Sequence, residues 1–277
     1  MAQAVQRRLR IEPPGSWQGL RLAELWRYRE LLYFFVWRDI KVRYKQTVLG
    51  ALWAVIQPLA GTALFTLFFG RLGGLSKQVD GSYALFVYIG LSLWTFYANA
   101  VSLAANSLVG SSHLIAKVYF PRLLIPIAAI FSGLVDFAVA FAFLLVSMVV
   151  YRVAPSPQIL MLPLFLIGTM AVAAGAGVLF SALIVSYRDF RYVIGFVVQL
   201  WLFATPVLYT LDSIPAEWRL LYAANPMVGM IAGFRAAVLG GPLPVNVILT
   251  SAVVAALLLA AGLRYFTSVE RRFADGI

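Results

Sequence analysis

The sequence predicts an all-α polytopic membrane protein. It would have six transmembrane helices, an N-terminal amphipathic interface helix and two outer re-entrant half-helices between spans five and six. Three observations carry this. The 277 residues are 62% hydrophobic and only 12% charged, against roughly 45–50% and about 25% in soluble domains, and the mean hydropathy is +0.88. Charge-free runs of about 20 residues recur, each long enough to cross a hydrocarbon core of about 30 Å. Lys and Arg cluster on alternate connecting segments.

Residues 1–21 read as a basic tail; Pro13, Pro14 and Gly15 interrupt it, and it lacks the apolar centre of a signal peptide. Residues 22–45 form the amphipathic helix. On a helical wheel Glu24, Arg27, Glu30, Arg38, Lys41 and Lys45 share one side. Leu25, Trp26, Leu32, Tyr33, Val36, Trp37, Ile40 and Tyr44 share the other, as in a helix lying in the membrane interface. Arg29, Asp39 and Arg43 break the apolar side. Asp39 and Arg43, four apart, are positioned to pair along the helix. The segment reads equally as a surface anchor or as a contact for a partner protein.

The six-span domain occupies residues 46–277. Its predicted spans are 46–70, 83–106, 123–151 (interrupted by Asp136), 158–187, 192–211 and 244–263. The outer region 212–243 is apolar in patches but broken by Pro215, Asn225-Pro226, Arg235 and Gly240-Gly241-Pro242. Irregular backbone at membrane depth persists only against protein or water, so two half-inserted helices fit it best. With the N-terminus inside, seventeen of the 22 Lys and Arg fall on cytoplasmic segments and five outside. That orients both the N-terminus and the C-terminal segment 264–277 towards the cytoplasm. The +11 net charge then belongs to an anionic membrane surface, and nucleic acid is not an expected partner.

Several chemistries are disfavoured. There is no G-x-x-x-x-G-K-[ST] loop for ATP. Cysteine is absent and His113 is the single histidine, so no metal site is expected and His113 reads as a capping or hydrogen-bonding residue of a turn. No pair of catalytic carboxylates is apparent. Asp136 is the one carboxylate inside a span and needs a partner, water or a proton there. It reads as a polar contact in a wet path or as a structural aspartate. Span four carries the small-residue run AVAAGAGVLFSAL (171–183), which favours close helix packing. Aromatics crowd spans one and two, at Trp53, Phe65, Phe68, Phe69, Trp94, Phe96 and Tyr97. They suit interface anchoring or stacking on sugar rings.

Five segments in order resemble one family. They are RDIKVRYKQTVLGALWAVIQPL (38–59), LIAKVYFPRLLIP (114–126), YRDFRYVIGFVVQLWLFATPVLY (187–209), NPMVGMIAGFRAAVLG (225–240) and ERRFADGI (270–277). Together they resemble the membrane subunits of ABC exporters for O-antigen, capsule and teichoic-acid polysaccharides, within the type-2 permease superfamily. The resemblance implies a homodimer around a channel in a bacterial cytoplasmic membrane. Two copies of a separate ATP-binding subunit would bind ATP and Mg, and this chain would hold no cofactor and catalyse nothing itself. The coupling turn 107–122 would contact that subunit through Leu114, Lys117, Val118, Tyr119, Phe120 and Arg122, with Pro121 ending its short helix. Arg38, Asp39, Arg43 and Tyr44 would lie on the interface helix beside it. Asn225, Pro226 and Arg235 would belong to the outer gate. Trp53, Phe65, Phe68, Phe69, Trp94, Phe96, Tyr97, Trp201 and Phe203 become candidates for the path of a lipid-linked polysaccharide. Two alternatives stay open: a type-2 permease for a small lipophile or drug, and a proton-driven carrier using Asp136.

Overall fold

A computed structural model describes residues 26–45, 47, 50–79 and 81–270. The predicted basic tail, residues 22–25 of the interface helix and the end of the C-terminal motif after Glu270 lie outside the described residues. Every regular element among the described residues is helical. Helix α1 is Arg29–Tyr44, and α2 is Trp53–Phe65, extended by a π-helical stretch Thr66–Leu72. Helix α3 is Tyr83–Gly110, α4 is Ser112–Lys117 and α5 is Leu124–Val150. Helix α6 is Leu162–Ser186, entered through a 3-10 turn Pro157–Met161. Then come α7 (Phe190–Phe203), α8 (Ala216–Tyr222), α9 (Pro226–Leu239) and α10 (Val245–Val269).

Local chemistry sets the ends. The Ser82 hydroxyl accepts from the Leu85 amide to start α3, and Asn225 Oδ1 accepts from the Met227 amide, with Pro226 as the first residue of α9. Gly240, at φ +77°, ends α9 in the left-handed conformation that glycine adopts without a steric penalty.

Among the described residues, five helical stretches are long and apolar enough to cross a membrane: Gly50–Leu72, Tyr83–Gly110, Leu124–Val150, Pro157–Ser186 and Val245–Val269. The predicted fifth span is built differently. Helix α7 has 14 residues, about 21 Å at 1.5 Å per residue, and ends at Phe203, where the sequence predicted continuation to 211. Thr205-Pro206 follows, and Pro206 has no amide to carry the helix on. The outer region does form two short helices, α8 and α9.

Helix α3 is the axis of the bundle. Most of its length is buried, whereas α2 is mostly exposed. It packs against α5, α6, α2 and α9, and α6 packs against α10. Glycine permits the α6–α10 approach. A Cβ on Gly262 would stand 2.4 Å from the Gly175 carbonyl oxygen, and one on Gly175 would stand 2.7 Å from the Leu259 nitrogen. The small-residue run read from span four is therefore a packing seam.

Helix α1 does not lie flat across the bundle. It follows α5. Near the base Phe35 packs on Phe120, centroids 5.3 Å apart. Further along, Arg43 and Tyr44 reach Asp136, twelve residues into α5, which is about 18 Å along its axis. The predicted apolar face is split accordingly. Leu32 and Val36 pack inward with Phe35, while Tyr33, Phe34 and Trp37 are exposed on the other side.

Candidate functional site: a polar groove beside the central helix

The α1–α5 contact leaves a groove of about 990 Å³ walled by α1, the start of α2, α3 and α5. On α3 its lining runs from Ser92 to Gly110, about 27 Å of helix. Ser92, Thr95, Asn99, Ser102 and Asn106 recur every three or four residues and all face it. Trp53 of α2 supplies exposed aromatic surface, while Phe96 of α3 and Phe137 of α5 edge the lining and are otherwise buried against each other, centroids 5.4 Å apart. Beyond Ala140, at the limit of the lining, α3 and α5 close on each other: the Tyr88 hydroxyl donates to the Ala140 carbonyl at 3.0 Å, and the Tyr88 and Phe143 rings pack at 5.4 Å.

The groove holds the ionised cluster. Arg43 Nη1 pairs with Asp136 Oδ2, its Nη2 donates to the Ser132 hydroxyl at 3.1 Å, and the Tyr44 hydroxyl donates to Asp136 Oδ1. Burial, and then the bond to Asp136, push the Tyr44 hydroxyl above its ordinary range, so it stays a donor. The predicted Asp39–Arg43 pair does not form. Asp39 instead accepts from Arg38 at 2.8 Å, because α1 turns Arg43 towards α5. Asp136 thus has two partners from a segment about ninety residues away, which sequence spacing could not supply.

The residues expected in a coupling turn separate by exposure. The helix ends at Lys117, not at Pro121, because Val118 is already extended. Val118 and Tyr119 are exposed, Tyr119 at 86%. Phe120 is corrected from a partner-facing position to an anchor buried on Phe35, and Leu114 is partly buried in the same cluster. Arg122 donates to the Glu270 backbone carbonyl, tying the start of α5 to the end of α10. His113 is exposed near the start of the short helix.

The candidate path aromatics also divide. Trp53 and Phe96 line the groove. Phe68, Phe69 and Phe203 are exposed away from it, and Phe65 is half-buried against the core. Trp94 and Tyr97 are core residues, and the Tyr97 hydroxyl is buried with no partner among the described residues. Trp201 packs edge-on against Tyr97 and donates to Asn225 Oδ1 at 2.8 Å. The outer residues knit the re-entrant region together. Asn225 Nδ2 donates to the Ala204 carbonyl and the Thr205 hydroxyl, both at 2.9 Å. Arg235 is buried over the Phe86 ring and donates to the Pro206 and Val207 carbonyls at 3.0 and 2.9 Å. Those two bonds hold α9 to the turn after α7.

A helical bundle with several elements long and apolar enough to cross a membrane defines a multi-pass membrane protein. Residues 30–239 match the ABC-2 type transporter family, and the chain belongs to that family. It is similar to the O-antigen export system permease protein RfbA of Myxococcus xanthus, 28% identical over 257 residues, covering 92% of this chain and 98% of that protein. The Klebsiella pneumoniae protein of the same name is 29% identical over 248 residues, covering 89% and 94%. The inner membrane transport permease YadH of Escherichia coli (strain K12) is 28% identical over 200 residues, covering 67% and 75%.

Proposed function

We propose that this chain is the membrane subunit of an ATP-driven exporter that moves a lipid-linked, O-antigen-like polysaccharide across the bacterial cytoplasmic membrane. The observation that carries the reading is similarity along nearly the whole chain to permeases named for O-antigen export. Two copies of the chain would enclose the path. Two copies of a cytoplasmic ATP-binding subunit would bind ATP and Mg and drive it, since the sequence has no phosphate-binding loop. Lys117, Val118 and Tyr119 would be the contact to that subunit, with Phe120 seating the turn on α1 and Arg122 passing motion to α10. Both termini would face the cytoplasm, as the Lys and Arg distribution favours.

A second reading, a permease for a small lipophile, draws on the similarity to YadH, whose name states transport without a substrate. A proton-carrier role for Asp136 is disfavoured by its engagement with Arg43 and Tyr44. The test is deletion and complementation. Loss of surface glycan on deletion, restored only when this chain and a phosphate-loop ATPase are both present, is the expected result. Unchanged glycan with altered tolerance to lipophilic drugs would overturn the first reading in favour of the second.

A further inference from the structure

We propose that the groove beside α3 is a hydrogen-bonding track for an uncharged, polyhydroxylated chain, with Thr95, Asn99 and Ser102 as its binding edge, and that it selects against polyanionic chains such as phosphodiester polymers. The inference rests on the exporter reading and sharpens its substrate class.

The argument begins with hydrogen-bond accounting. Ser92, Asn106 and Ser107 donate to carbonyls of their own helix at 2.9, 2.8 and 2.6 Å. Among the described residues no hydrogen bond joins the half-buried Thr95, Asn99 and Ser102 side chains to a partner. Each unsatisfied polar group in hydrocarbon costs several kcal/mol. These three face the groove instead, and so need water or a polar ligand there. An amide and two hydroxyls both donate and accept, the capacity that sugar hydroxyls match in return. Trp53, exposed at the groove, offers a flat ring whose electron-rich face attracts the C–H face of a sugar.

Charge then narrows the class. The ionisable Lys, Arg, Asp and Glu residues lining the groove are Arg38, Asp39, Arg43 and Asp136. They form two ion pairs, Arg38–Asp39 and Arg43–Asp136, so the lining is neutral overall. Phosphate recognition relies on charge-assisted donors, Arg above all. Both arginines here already have carboxylates, and a chain of phosphates would find no free cation among the described residues of the lining, and two fixed aspartates. A neutral glycan meets no such penalty.

The chain has no cysteine, so single-cysteine variants of the full-length protein report the groove directly. Thr95→Cys, Asn99→Cys and Ser102→Cys in reconstituted membranes should react with a charged, water-soluble thiol reagent about ten-fold faster than Leu164→Cys or Ile167→Cys on the exposed apolar face of α6, because only a water-reached thiol ionises and reacts. Maltoheptaose should slow the groove positions at least about three-fold by occupying the same hydrogen-bonding groups, while linear polyphosphate of similar length leaves them unchanged. Equal labelling of the two sets, no protection by maltoheptaose, or protection by polyphosphate would each overturn the inference. A parallel assay separates it from the reading it rests on. If the wild-type chain fails to restore surface glycan to a deletion strain, the exporter reading fails. If the wild type restores it, Asn99→Leu should restore much less and Asn99→Gln nearly as much. Full restoration by Asn99→Leu overturns the groove assignment alone.

Discussion

Replacing Asp136 with Asn keeps the shape of the side chain and removes its charge. In the native protein that carboxylate accepts one bond from Arg43 and one from Tyr44. Changing a charged hydrogen bond to a neutral one forfeits roughly 1 kcal/mol, so the two together lose about 2 kcal/mol, or about 30-fold in the equilibrium for releasing α1 from α5. The Arg43 and Asp136 side chains are 24% and 22% exposed. The estimate accordingly sits between the 3–5 kcal/mol of breaking a fully buried pair and the 0–1 kcal/mol of an exposed one. Ser132, 1% exposed, lies beneath Arg43, so labelling of Ser132→Cys in the full-length protein reports the release. Adding Asp136→Asn should speed that labelling about 30-fold, following the 2 kcal/mol lost. Asp39→Asn breaks a pair between adjacent residues of one helix, with side chains 37% and 23% exposed, and should cost under about 1 kcal/mol, or about five-fold. Arg43→Gln combined with Asp136→Asn should fall short of the sum of the single effects, since each single variant strands a charge. A change below about three-fold for Asp136→Asn, or an equal change for Asp39→Asn, would refute the claim that this cluster fastens α1.

Three other predictions follow from packing. Tyr119→Ala should leave the melting temperature of the purified protein unchanged yet lower export per ATP hydrolysed by the assembled transporter, while Phe120→Ala should cost about 3–5 kcal/mol and lower the melting temperature itself. Gly262→Ala pushes a methyl group onto the Gly175 carbonyl and should destabilise by about 1–3 kcal/mol, read as lost folded yield after detergent extraction. Tyr97→Phe removes a buried hydroxyl that has no partner among the described residues and should raise stability by about 1 kcal/mol in the same assay.

Five of the six predicted spans were legible because charge-free runs are a one-dimensional signal, read without knowing what packs on what; the fifth was not, because Pro206 ends its helix early. The short helix Ser112–Lys117 and the broken outer region were legible for the same reason: Pro, Gly and charge punctuate them. Other features needed three dimensions. Asp136 announced a need for a partner, but nothing in the spacing pointed to Arg43 and Tyr44. The Asp39–Arg43 pairing followed from helix periodicity and lost to a tertiary contact. On α1, Phe35 faces inward while Tyr33 and Phe34 face outward, and a helix with apolar groups on two sides does not reveal which side the bundle takes. The α3 stripe was present in the sequence as Ser92, Thr95, Asn99, Ser102 and Asn106, at helical spacing within an apolar run. Counting charges passes over it, whereas a helical wheel of hydrogen-bonding residues alone would have exposed it. Aromatic density was the poorer guide to the groove: Trp94, Phe96 and Tyr97 are core, and of the nine candidates only Trp53 and the edge of Phe96 line it.

The most direct test of the account is transport into sealed proteoliposomes that hold this chain with and without its ATP-binding partner, supplied with a lipid-linked neutral polysaccharide. The account predicts ATP-dependent movement of the glycan only when both subunits are present, with loss on Asn99→Leu. Movement by this chain alone, or a partnered transporter that hydrolyses ATP and moves a small lipophile but no glycan, would contradict it.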